Sequence, residues 1–189
     1  MNGLNLSPYQ KRVMLETRMV GGHRLYDDLI KVPLILSGTN IPSNKKITQQ
    51  VRNVDIFPTI EDVLSLPKKN DVDGESLLPL INNKKIHENP AYIESPPAVK
   101  EERIKKKIIG IRTSSYKMLK QADSGDVVEL YDLVNDPLEE ENIVSSHPEL
   151  IKEMESELEK IMSSKKITTT ENKVDLDKIE KELEKLGYS

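Results

Sequence analysis

The chain changes its hydrophobic rhythm twice. Val32 to Leu36 is a short apolar run bounded by Lys31 and by Ser37-Gly38. Its length and flanks predict a buried strand, and Pro33 at its second position suits a strand start or an edge. Just upstream, Leu25, Leu29 and Ile30 recur at helix-like spacing after a turn at Gly22-His23. Residues 51 to 64 carry an apolar stripe of Val54, Ile56, Phe57, Ile60, Val63 and Leu64, which predicts a helix. Pro58 displaces its first turn or marks where the regular helix begins, and Pro67 ends it. Phe57, the sole Phe, is expected at the contact between this helix and the 32–36 strand.

From residue 91 the pattern becomes alternating. AYIES at 91–95, Lys107 to Thr113, Tyr116 to Lys120 and Val127 to Leu133 predict a small antiparallel sheet. Ser114-Ser115 forms one tight connection, and Asp123 to Asp126 the next. Residues 146 to 162 then return to helical spacing, with Leu150, Ile151, Met154, Leu158, Ile161 and Met162 as the stripe. Ser146 and Glu149 have the spacing of a capping box, with Pro148 in the first turn. The polar stretch 163–174 predicts a linker. A last short helix is expected at about 175–186, carrying Leu176, Ile179, Leu183 and Leu186, with Gly187 as its C-cap. The remaining stretches, 39–50 and 68–90, are loop-rich. Residues 1–21 show one weak helical face (Leu15, Met19, Val20) and are expected to be a partly ordered segment, although Pro8 after Ser7 suits a helix start.

Composition narrows the classes. The 189 residues suffice for one domain, and the 32% charged content exceeds the usual quarter or so, so the core must come from the middle of the chain. A net charge of −4 argues against binding a nucleic-acid backbone. Cysteine is absent, which excludes disulfides and thiolate metal sites. No apolar run approaches the ~20 residues that span a bilayer, and the N-terminus lacks a signal-peptide h-region. Neither nucleic acid nor membrane is expected as a partner. Asp71 to Glu75 has the start of a calcium loop but not its distal ligands, and predicts a turn on Gly74. The basic run Lys100 to Lys107 contains Glu101 and Glu102 and reads as a solvated strand entry, and His87 as a solvated loop histidine.

Several segments, in order, resemble the sulfatases of the alkaline-phosphatase superfamily. They begin with Gly22-His23, Leu25-Tyr26-Asp27-Asp28 and Lys31-Val32-Pro33-Leu34-Ile35. Val51 to Ile60, with its Asp55-Ile56-Phe57-Pro58-Thr59, and Asp73-Gly74-Glu75-Ser76-Leu77 follow in the family's order. Tyr92 to Ser95, Ile111-Arg112-Thr113 with Tyr116-Lys117, and Glu129-Leu130-Tyr131-Asp132-Leu133 with Asp136-Pro137 and Glu140-Glu141-Asn142 continue it. Leu183 to Tyr188 closes it. The resemblance covers roughly residues 22–189 and is to the C-terminal portion of the family.

The resemblance implies an α/β fold: a remnant of an alkaline-phosphatase-like parallel sheet plus a small C-terminal antiparallel sheet with packed helices. The organisation expected is an N-terminal segment at 1–21, the end of the α/β core at 22–90, the antiparallel subdomain with its helix at 91–162, and a linker with terminal helix at 163–189. Family members hydrolyse sulfate esters with a formylglycine made from Cys or Ser in a C/S-x-P-x-R motif, beside a calcium ion held by carboxylates and an Asn or His. Here Ser95-Pro96-Pro97-Ala98-Val99 approaches the serine form but has Val99 for the Arg, and the Asp-His-Gly metal motif is missing. No catalytic residue, no metal ligand and no cofactor is therefore assigned within the chain. Asp27-Asp28 is a carboxylate pair in the abstract, but matches the family's structural turn. His23, with Arg24 beside it, is the substrate-binding candidate: a Lys or His near this place contacts sulfate in the family, and an imidazolium suits an oxyanion. The equal reading of His23 is a hydrogen-bonded turn histidine. An N-terminal sulfatase portion, lost or separately encoded, is expected ahead of Met1, and in the second case it is the expected partner. A non-catalytic interaction module, or part of a related phosphodiesterase or phosphotransferase, remains the alternative.

Overall fold

A computed structural model describes residues 6–16, 25–95 and 107–164. Its organising element is a four-stranded antiparallel sheet in sequential order: β1 (Ala91–Glu94), β2 (Ile108–Arg112), β3 (Tyr116–Gln121) and β4 (Val127–Asp132). These are the four expected strands, with ends moved by one residue or so. The β2–β3 connection is the two-residue Ser114-Ser115 turn. Thr113 closes it, its Oγ1 accepting from the N–H groups of Ser115 and Tyr116. At the β3–β4 turn Gly125 adopts a φ of 76°, the left-handed region that favours glycine.

The pleat sends alternate residues to opposite faces. On one face Ile109, Ile111, Met118 and Leu130 meet Met154 and Leu158 of the helix α5 (Pro148–Ser164), and these six are the buried core. Side chains in this row are almost fully removed from water because a half-apolar sheet face needs a covering layer, and the amphipathic helix supplies it. The helix begins at Pro148, but the expected capping box does not form. Ser146 Oγ instead donates to the carbonyl of Ile143, which ties down the loop ahead of the helix.

The opposite face carries Arg112, Lys117 and Tyr131 in one cross-strand row. It is covered by the short helix α2 (Asp27–Ile30), the residues just before it, and the loop after β4. An N-terminal helix, α1 (Pro8–Glu16), replaces the partly ordered segment expected there. Its start is a reciprocal cap: Ser7 Oγ accepts from Gln10 N–H, and Gln10 Oε1 accepts from Ser7 N–H.

The middle of the chain departs from expectation. Residues 32–37 form no helix or strand and pair with none among the described residues, so the stretch expected as a parallel-sheet remnant is an unpaired segment. Val32 is 62% exposed and Ile35 is 85% exposed. A strand is made by its neighbours, and none is described beside this one. The helix expected at 51–64 is a 3-10 turn at Asn53–Asp55 followed by α3 (Ile56–Val63), with Pro58 in its first turn. Its buried residues are Pro58, Thr59 and Glu61, whereas Phe57 and Ile60 are exposed, so Phe57 is not the core contact it was expected to be.

The reason lies in the backbone of residues 69–77. Asp55 Oδ1 accepts from Glu75 N–H at 2.9 Å and Thr59 Oγ1 from Leu77 N–H at 2.8 Å. Glu61 Oε1 accepts from Lys69 N–H. Buried main-chain donors need acceptors, so the polar side of α3 turns inward and its apolar stripe outward. Gly74 belongs to the same contact: a Cβ there would lie 1.9 Å from the carbonyl oxygen of Val54, so only glycine fits. The turn predicted on Gly74 is not formed as such: the chain bends at Asp73 and Gly74 itself lies in an irregular stretch. The short helix α4 (Leu78–Ile81) follows, inside a stretch expected to be loop. The linker and terminal helix expected at 163–189 lie outside the described residues beyond Ser164.

Candidate functional site

Two regions qualify as sites. The first is an ionic lattice on the covered face of the sheet. Lys117 is fully buried. Its ammonium donates to the carbonyl of Leu25 at 2.9 Å and to Glu139 Oε1, and forms an ion pair with Asp27 Oδ1 at 2.8 Å. Arg112 grips the same Asp27 bidentately, Nε donating to Oδ1 at 2.8 Å and Nη2 to Oδ2. Glu139 Oε2 accepts from the main-chain N–H of Asp27 at 2.7 Å. Two cations thus face two carboxylates, and the cluster is charge-balanced. Gln50 joins from the side, accepting from Arg112 Nη1 and donating to its carbonyl.

The loop after β4 supplies Glu139 and is itself held rigid. Glu139 adopts a φ of 55°, which turns its side chain inward. Asp136 Oδ2 accepts from Glu141 N–H, while Asn142 completes the edge of β4 by accepting from Leu130 N–H and donating to the Val128 carbonyl. Arg12 of α1 donates to the carbonyls of Leu138 and Glu139, and its guanidinium sits 3.7 Å from the centre of the Tyr26 ring. Tyr26 meets Tyr131 edge-on at 6.2 Å, and both hydroxyls donate to Glu129. Burial first, and the negative charge of Glu129 second, push both phenols above their ordinary pKa. They stay neutral donors.

Asp27 behaves in the opposite sense. Burial by itself would raise its pKa, but the hydrogen bonds and charges of Arg112 and Lys117 overcome that and hold it at about 2. A carboxylate depressed in the folded state stabilises the protein above its unfolded pKa, and that contribution is lost as pH falls through the folded value. Acid unfolding of the protein should therefore steepen between about pH 4 and pH 2. In Asp27→Asn the loss of stability across that window, followed by circular dichroism, should be visibly shallower. An identical acid profile for the two proteins would refute this role.

The second region is a groove of about 810 Å³. Residues 31–34 and 36, the stretch 47–54, α4, the start of β1 and the end of α5 line it. Its walls are chiefly apolar, with Arg112 and Gln50 of the lattice at one side.

The sequence-predicted site residues fall as follows. His23 and Arg24 lie outside the described residues. Asp27 is structural, as the Leu-Tyr-Asp-Asp reading implied, and Asp28 is exposed. Ser95 is buried at the end of β1, with its Oγ accepting from Ile108 N–H, so it extends the sheet. A closer spelling of the serine motif, Ser65-Leu66-Pro67-Lys68-Lys69, was missed. Ser65 follows the end of α3 with a φ of 53°, and Lys68 is paired with Asp62. Lys117 and Glu139 were also missed as a pair. Alternation put Lys117 on a definite face, but only the fold shows that this face is covered.

The calcium ion that the family resemblance implies finds no fit among the described residues. Among the described residues no three His, Asp or Glu side chains are grouped to hold a metal, and the half-buried Asp27 and the buried Glu139 already face two cations. No described helix is long and apolar enough to cross a membrane.

Comparison with known proteins agrees with this geometry. The family described as N-sulphoglucosamine sulphohydrolase, C-terminal, matches residues 11–165. Arylsulfatase K of the dog is 27% identical over 161 residues, covering 82% of this chain and 30% of the relative. The human Arylsulfatase K is 25% identical over 180 residues, covering 93% of this chain and 34% of its own length. The chain thus spans about a third of the length of these relatives. Among solved structures, a putative sulfatase from Bacteroides thetaiotaomicron superposes with a TM-score of 0.63 at 23% identity, covering 74% of this chain and 31% of that one, and shows the shared fold. A protein solved with its substrate D-glucosamine-2-N,6-O-disulfate is 30% identical at a TM-score of 0.51, over 59% of this chain and 24% of its own. The family match over residues 11–165 takes in the segments that build the sheet, the lattice and the α3 contact, and on that ground the chain belongs to the N-sulphoglucosamine sulphohydrolase C-terminal family, as a sulfatase C-terminal portion.

Proposed function

We propose that this chain serves as the C-terminal portion of a sulfuric ester hydrolase and that it does not turn over sulfate esters by itself. The observation that carries the reading is the family match over residues 11–165 in a sequence with no cysteine and no intact C/S-x-P-x-R motif. In such hydrolysis a nucleophile, a cation and basic side chains stabilise charge on the transferring group, and those parts supply most of the rate. What completes the site in this reading is an N-terminal sulfatase portion that carries the nucleophile and the Asp-His-Gly motif. The exposed apolar positions Val32, Leu34 and Ile35 support it, because an unpaired, exposed apolar segment is stabilised by a neighbouring strand. The purified chain should hydrolyse an aryl sulfate no faster than background, even with calcium and a formylglycine-generating enzyme. Co-expression with such an N-terminal portion should raise both solubility and hydrolysis. Turnover by the chain alone, lost on His23→Ala, would overturn the reading.

A further inference from the structure

Arg112 and Lys117 are directly paired residues of β2 and β3. Like charges opposed in this way destabilise a sheet unless a counter-charge lies between them. Asp27 takes that place, bonded by both. The short helix that carries Asp27 has little within itself to fix it. It is four residues long, has no side-chain cap and buries none of its own residues. A single turn of this kind is not stable alone. Its position must therefore come from contacts made to it.

Several of those contacts meet at one ammonium group. Lys117 has three donors, and it meets three acceptors: the Leu25 carbonyl, Asp27 Oδ1 and Glu139 Oε1. Two of the three lie on the turn and the third on the loop after β4. Glu139 then reaches back to the Asp27 N–H, so turn, strand and loop form a closed ring. Arg112 holds the same carboxylate from the groove side. Of the residues that follow the turn, 31–34 and 36 form one wall of the groove.

We propose that Lys117 is a positioning residue: it sets where the Leu25–Ile30 turn sits on the sheet, and so orients the groove wall that the chain forms next. The consequence for docking rests on the reading above, in which that wall meets an N-terminal portion. The positioning itself is tested in the chain alone, so either idea can fail without the other.

The test is hydrogen–deuterium exchange on the full 189-residue chain. In Lys117→Met, amides of residues 25–31 should exchange faster by on the order of tenfold or more relative to those of β2 and α5. Where that variant is too unstable to measure, Lys117→Met with Glu139→Gln removes the pair without leaving either charge alone and should show the same local loss. Asp27→Asn, which retains the Lys117 bonds to Leu25 and Glu139, should give a smaller change confined to residues 25–31. Protection at 25–31 that stays at the wild-type level would overturn the proposal. So would loosening in equal measure across 25–31, β2 and α5, which marks a role in overall stability only.

Discussion

Glu139→Ala is expected to destabilise the protein by about 3–5 kcal/mol, the range for removing one partner of a buried ion pair. The lattice holds two cations and two carboxylates, and Lys117 and Glu139 are its most deeply buried members. Removing Glu139 leaves a surplus positive charge where no water reaches, and leaves the Asp27 N–H without its acceptor. Against a typical stability of ~5–15 kcal/mol this is a large fraction, and it should appear as a lower urea midpoint with an unchanged slope. The double variant Lys117→Met with Glu139→Gln keeps the remaining Asp27–Arg112 pair balanced. It should be clearly more stable than Glu139→Ala, because a buried pair replaced as a pair often costs little. A loss below about 1 kcal/mol for Glu139→Ala would show that water reaches the site.

Leu158→Ala should cost about 2–5 kcal/mol by a different route. Leu158 is 1% exposed and packs with Met154 against Ile111, Met118 and Leu130. The cost combines lost burial with the cavity left behind. Its spread reflects how far α5 can settle toward the sheet. Since α5 is the layer that covers this face, the variant should also bind more of a hydrophobic dye than the parent does. Met162→Ala, at an exposed position near the end of the same helix, is the control and should change stability by less than about 0.5 kcal/mol. Equal losses at the two positions would contradict the packing described.

The antiparallel half of the molecule was legible in the sequence. Alternation located β1 to β4 to within a residue or so, and the Leu150–Met162 stripe located α5, because a two-layer unit built from consecutive elements writes its core in local periodicity. The helix Pro8–Glu16 was underread because its cap, Ser7 with Gln10, is polar and its apolar stripe is weak. The stretch 32–36 was misread for the opposite reason. Its apolar run signals burial, but burial requires a neighbour, and the described residues provide no strand to pair with it.

The candidate site divides in the same way. The motif residues were visible as words: Leu25-Tyr26-Asp27-Asp28, Asp55 with Thr59, Asp73-Gly74-Glu75, and Glu129 through Asn142. Local pattern determined which of them lie on strands, turns and helix starts. The contacts joining them were decided by tertiary structure alone. Lys117 finds Asp27 across 90 residues and Glu139 across 22, and Thr59 meets Leu77 across 18. Hydrophobic periodicity records whether a side chain faces a core, and does so residue by residue. It carries no record of which charge meets which, or of whether a polar face is covered, because those depend on segments brought together only when the chain has folded.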